Sequence, residues 1–165
     1  GEMYIQSFSK SYGLDATILR YFNVYGPRQA YSEYSGVISI FVNQALAGDS
    51  IKIEGDGKQT RSFIHVSDVS RATQLAGELK SAIGAIINVS GPSLVSILQL
   101  AKILKENIEG CQSEIVHVEP RVGDVKDSIG NIERAQKLLG FSTEIPLERG
   151  LKETAAWYEN HLPLK

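Results

Sequence analysis

Helix-like and strand-like segments alternate from one end of this chain to the other, and no other feature restricts the fold as much: the order argues α/β. Ile5, Phe8 and Tyr12 share one face of a helix over 2–12, and Gly13 suits its close. Residues 16–22 read as a strand, ended by Asn23, Gly26 and Pro27. A helix over 37–47 stops at Gly48. Two short strands, 51–54 and 59–66, flank a turn whose Gly55 and Gly57 supply positive φ. Ser67 is placed to cap a helix running to about Leu79, and 85–89 is a buried strand. Ser96 caps a helix with Ile97, Leu100, Ala101, Leu104 and Ile108 on one face. A strand over 114–118 follows, then a short helix from Asn131 to Leu139, stopped by Gly140. Leu147, Leu151, Ala155 and Tyr158 recur at helical spacing in the last helix. The chain opens inside a helix, which reads as the back half of something larger.

The 165 residues give room for one domain and not for two complete ones. Hydrophobic residues make up 42% and charged residues 22%, as in ordinary globular proteins. Seventeen Lys and Arg against 19 Asp and Glu leave a net charge of −2. That balance offers no field for nucleic acid or an anionic membrane, though it permits a local basic pocket. The single cysteine, Cys111, can form no internal disulfide, and the apolar runs fall far short of the roughly 20 residues that span a bilayer. With no apolar leader at the start, the expectation is a soluble, cytoplasmic protein.

Arg20, Arg28, Arg61 and Arg121 stand beside turns or strand ends, where a guanidinium suits bidentate phosphate capture. For any one of them, pattern alone favours ion pairing or solvation. His65, His117 and His161 are far apart with no ligand spacing, so no metal site is expected, and His65 reads as a hydrogen-bonded core histidine. Arg134 reads as lying on an exposed helix face, and Asp68 as anchoring its helix. No Gly-x-Ser-x-Gly, Walker loop, Gly-x-Gly-x-x-Gly or Tyr-x-x-x-Lys occurs.

Five segments carry a resemblance. Arg20-Tyr21-Phe22-Asn23-Val24-Tyr25-Gly26-Pro27-Arg28-Gln29 resembles the strand-to-loop segment of NAD-dependent nucleotide-sugar epimerases and dehydratases, the extended short-chain dehydrogenase/reductases. The run from Ile53 through Gly55-Asp56-Gly57-Lys58-Gln59-Thr60-Arg61 to Val69 resembles the second signature of that family. Arg121-Val122-Gly123-Asp124-Val125 and Ala135-Gln136-Lys137-Leu138-Leu139-Gly140-Phe141 resemble its C-terminal pair. Gly1-Glu2 resembles the pair that follows the catalytic Tyr-x-x-x-Lys in the same helix. Glu54 stands where an aromatic is common, Ser62 where Asp is common, and Gly130-Asn131 where Ala-Asp is common.

The resemblance implies the C-terminal part of a Rossmann-type α/β fold, a late sheet strand plus a mixed α/β substrate-binding subdomain. Residues 1–30 would be the tail of the dinucleotide-binding domain, and 31–165 mostly the nucleotide-sugar subdomain. It implies that Asn23 contacts the substrate diphosphate, that Arg61 and Arg121 grip it, and that Asp124 accepts from ribose hydroxyls. Ile38, Lys52 and Glu54 would line the base, largely through backbone groups. The implied parent is a UDP-glucose 4-epimerase-like enzyme using NAD, with a homodimer possible by family analogy. The expected partners are a UDP-sugar and an N-terminal NAD-binding half, and NAD is not expected to bind this chain alone. A dTDP-glucose 4,6-dehydratase-like parent and a stand-alone, non-catalytic binding module are the alternatives.

Overall fold

The structure is a computed structural model that describes residues 1–30 and 35–161. Its helices are α1 (Glu2–Tyr12), α2 (Val37–Leu46), α3 (Val66–Glu78), α4 (Ile97–Asn107), α5 (Glu133–Leu139) and α6 (Leu147–His161). Its strands are β1 (Ile18–Tyr21), β2 (Val24–Tyr25), β3 (Ile51–Glu54), β4 (Thr60–Arg61), β5 (Ile64–His65), β6 (Ile86–Val89), β7 (Val95–Ser96), β8 (Ile115–Val118) and β9 (Asp127–Ser128).

The strands pair mostly in parallel. β1 runs beside β6, β2 beside β5 and β3 beside β8, while β4 lies between antiparallel β7 and parallel β9. Parallel partners need a crossover between them. The β1–β6 pair therefore draws residues 18–21 and 86–89 into one sheet, with α3 in the connection.

The apolar faces expected along the chain meet in two cores. One gathers Phe41 and Val42 of α2, Ile51 and Ile53 of β3, Leu100 and Leu104 of α4, and Leu151 and Tyr158 of α6. The other joins Ile64, Val69, Ile87, Val89, Leu139 and Phe141. Ser96 caps α4 as expected, and a capping box completes the cap: the Ser96 hydroxyl accepts from the Gln99 N–H, and the Gln99 side chain accepts from the Ser96 N–H. Asn131 accepts from the Glu133 N–H at the start of α5, and Gly140 closes that helix in the left-handed region.

Two expectations are corrected. The strand expected over 59–66 is broken into β4 and β5. The Ser62 N–H donates to Ser128 O beside β9, whereas the Ile64 N–H donates to Asn23 O beside β2, so the chain changes neighbours at Ser62 and Phe63. Buried Ser62 holds that crossing through a 2.5 Å hydroxyl contact with Ser90. The cap of α3 is His65 rather than Ser67: extended backbone at His65 turns its Nδ1 onto the Ser67 N–H at 3.3 Å. Arg134 lies exposed on α5, as expected, and its guanidinium donates to Ile86 O at 2.8 Å.

Candidate functional site

The turn after β3 sets the first wall of the site. Gly55 and Gly57 both adopt φ of +71, and a Cβ on Gly57 would press on Leu98 and Ile53. The Leu98 N–H donates to Gly57 O and the Ile97 N–H to Gln59 O, which docks the turn on the start of α4. Gln59 returns its side-chain amide to Glu54 O at 2.9 Å. Arg61 is thereby brought beside Ile97.

Arg61 is held from several directions. Its Nη1 donates to Thr60 O at 2.8 Å and to Lys126 O at 3.3 Å, and its Nη2 donates to Asp124 Oδ1 at 2.7 Å. Arg121 pairs instead with Glu54, Nη2 to Oε1 at 2.8 Å. Arg20 is engaged elsewhere, in a bidentate pair with Glu2. Exposed Arg28 sits at φ of +70.

All seven residues singled out in the sequence line two adjoining cavities. A cavity of about 110 Å³ is lined by Lys52, Glu54, Arg61, Arg121 and Asp124, together with Gln59 and apolar side chains. A second, of about 160 Å³, is lined by Asn23, Ile38 and Arg61. Val37, Arg61 and Ile97 belong to both, so Arg61 stands at the junction. Asn23 has φ of +40 and donates its side-chain amide to Ser62 O, which fixes it on the rim of the second cavity. Ile38 is a core residue, 2% exposed. A pocket with two guanidinium groups, hydroxyl acceptors in Asp124 and an apolar floor matches an anion joined to a flat or sugar-like group.

A larger cavity, of about 740 Å³, escaped the sequence reading. Residues 24–29, His65, Ser67, Ser70 and Glu153 line it. Gly26 is required there, because a Cβ would strike Val66 and approach His65 Nε2. The His65 Nδ1 accepts from Ser67, which places the ring proton on Nε2. That atom is buried, has no hydrogen-bond partner among the described residues, and lies 3.9 Å from Glu153 Oε2. Burial pushes the His65 pKa down, against the attraction of Glu153 and Asp68. Burial also raises the pKa of Tyr25, assisted by Asp68, Glu148 and Glu153. Gly26 and Pro27 are the sequence signal of a special backbone there, and Gly26 and Arg28 both adopt positive φ.

Asp68 anchors more than its own helix. Its carboxylate accepts from the Glu144 and Ile145 N–H groups and pairs with Arg71. Among the described residues no three His, Cys, Asp or Glu side chains gather as a metal requires, and no helix is long and apolar enough to cross a membrane.

Parallel strand pairs joined through crossover helices define a Rossmann-type α/β protein. Residues 1–90 match the profile of the NAD-dependent epimerase/dehydratase family, and the chain belongs to that family. A Methanocaldococcus jannaschii protein provisionally named UDP-glucose 4-epimerase is 38% identical over 161 residues, which is 98% of this chain and 51% of that protein. The crystal structure of Thermotoga maritima UDP-glucose 4-epimerase with UDP-glucose superposes with a TM-score of 0.90 at 41% identity, covering 96% of this chain and 50% of that one. A Bacillus cereus UDP-glucuronic acid 4-epimerase, solved with UDP-glucuronic acid and NAD, gives 0.86 at 31% identity, over 96% and 50%. The chain spans about half the length of the curated relatives it matches.

Proposed function

We propose that this chain supplies the nucleotide-sugar grip of an NAD-dependent UDP-sugar 4-epimerase, with UDP-glucose as the leading substrate. The observation that carries the reading is the convergence of Asn23, Ile38, Lys52, Glu54, Arg61, Arg121 and Asp124 on two cavities joined at Arg61. In this reading Arg61 and Arg121 hold the diphosphate, Asn23 meets it from the second cavity, and Asp124 accepts from ribose. Lys52 and Glu54 border the base, and Ile38 contributes backbone and apolar floor. Residues 1–30 are the tail of the dinucleotide-binding domain, accompanied by β6, and 31–165 serve mostly the substrate.

NAD oxidises and re-reduces the sugar carbon in such a reaction. The residues of this chain include no glycine-rich strand-to-helix turn of the kind that cradles a pyrophosphate, so no NAD contact is assigned to them. NAD and its pocket are assigned to an N-terminal half of the parent enzyme. What this chain contributes is binding energy and orientation of the sugar relative to that half.

Calorimetric titration of the chain with UDP-glucose, dTDP-glucose and NAD tests the reading. Binding of UDP-glucose, weaker binding of dTDP-glucose and none of NAD is the expected order. Micromolar NAD binding, or no response to either nucleotide sugar, would sink it.

A further inference from the structure

The two arginines of the site are restrained very differently. The Arg61 side chain is 14% exposed and bonded to two carbonyls and Asp124, whereas the Arg121 side chain is 65% exposed and its ion pair is with Glu54. Glu54 has a fixed base. It ends β3 in register with Val118 of β8, and its carbonyl accepts from Gln59. Arg121 rides instead on a solvent-facing loop in which Val122 is fully exposed and Gly123 takes φ of +81. The geometry points to Glu54 as a gate: its carboxylate holds Arg121 across the smaller cavity, and a diphosphate enters by displacing that carboxylate from the guanidinium.

Size and charge support this. At about 110 and 160 Å³, neither cavity reaches the roughly 300 Å³ at which small-molecule pockets begin. Room must come from an exposed wall, and the Glu54–Arg121 pair belongs to the exposed wall of the smaller cavity, with Lys52 and Asp124 beside it. An exposed carboxylate pair is weak, so it can be exchanged. A diphosphate offers more charge and a bidentate match, so the exchange favours it. Glu54 therefore orients Arg121 in the empty site and lowers affinity for the anion that replaces it. This inference rests on the nucleotide-site reading above and concerns the regulation of that same site.

The test is calorimetric titration of the full chain with UDP. Glu54→Gln keeps an acceptor for Arg121 and removes the charge, and it should bind UDP about three- to tenfold more tightly than the native chain. Glu54→Ala should shift affinity in the same direction. On an Arg121→Leu background the gain should vanish, and Glu106→Gln, the same charge change at an exposed helix position outside the cavities, should leave affinity unchanged. Thermal unfolding establishes that each variant is folded. If the native chain binds UDP and Glu54→Gln binds it equally or more weakly, the gate is refuted while the site stands. An undiminished gain without Arg121 also refutes the gate. If neither form binds UDP, the nucleotide-site reading falls and takes the gate with it.

Discussion

The Arg61 guanidinium and the Asp124 carboxylate, 63 residues apart in sequence, meet at 2.7 Å and tie β4 to the loop that carries Arg121. One contact thus links two segments that the sequence shows only as separate signatures. It also separates the roles of the two arginines, because Arg61 is part of the scaffold and Arg121 is not.

Arg61→Leu should therefore cost both binding and stability. Losing one charge-assisted bond to a diphosphate is worth about 2–3 kcal/mol, on the order of 30- to 150-fold in affinity for UDP. The same change removes bonds to Thr60, Lys126 and Asp124, so urea unfolding should register a loss of about 2 kcal/mol. Arg121→Leu should lose comparable affinity with a stability change under about 1 kcal/mol, since its pair is exposed. Unchanged UDP affinity in both folded variants would show that the pocket is misassigned.

The elements legible in advance were those whose signals are local. The Ser96 cap and the closing glycines Gly13 and Gly140 need only neighbours in sequence, and each appears where expected. Strand partners were not legible. β3 pairs with β8 about 60 residues on, and nothing in Ile51–Glu54 names Ile115–Val118 as its partner. The site shows the same division. Its residues were picked out through family resemblance, but Glu54 was read as bordering the base, and its pairing with Arg121 emerges only when β8 lies against β3. The His65 cap was missed because Ser67 carries the commoner capping side chain.

Asp68 anchors the 144–145 backbone to α3 from a position 2% exposed. Asp68→Ala would leave two N–H groups without their acceptor and remove one partner of the Arg71 guanidinium, which keeps Ser142 O and Glu144. A loss of about 3 kcal/mol in urea unfolding is expected. A loss below 1 kcal/mol would mean that water replaces the carboxylate without penalty.

His65 makes stability depend on pH. Its pKa is lowered on folding, chiefly by burial, so the unfolded chain binds the proton more readily. The stability associated with the neutral ring is complete above the ordinary histidine pKa near 6.5 and is lost as pH falls from there through the lowered folded value. Glu153 and Asp68 moderate the effect and Arg149 adds to it. His65→Asn keeps a capping oxygen and does not titrate. Unfolding free energies compared between pH 7.5 and 5 should fall more steeply for the native chain than for this variant. Parallel curves would show that His65 contributes nothing to the pH dependence.

The apolar face of α1 makes the last prediction. Tyr4, Phe8 and Tyr12 recur every four residues and are 76, 54 and 78% exposed, and Met3 beside them is 82% exposed. The Phe8 and Tyr12 rings lie 5.3 Å apart, so they present one continuous aromatic surface. No α1 residue is buried, although the helix is well closed by Gly13 and tied to β1 through Glu2 and Arg20. The edge of β1 away from β6 likewise has no strand against it among the described residues. An aromatic stripe and an open strand edge each attract a second surface. The chain should therefore self-associate at micromolar to millimolar concentration in sedimentation velocity. Phe8→Glu together with Tyr12→Glu removes two aromatic anchors, worth about 1 kcal/mol or more each. The dissociation constant should rise on the order of 30-fold or more. A native chain that sediments as a clean monomer at high concentration would refute the association outright. Association unaltered by the double substitution would move the contact from α1 to the free edge of β1, where breaking the strand with Leu19→Pro, on a chain shown to remain folded, should then abolish it.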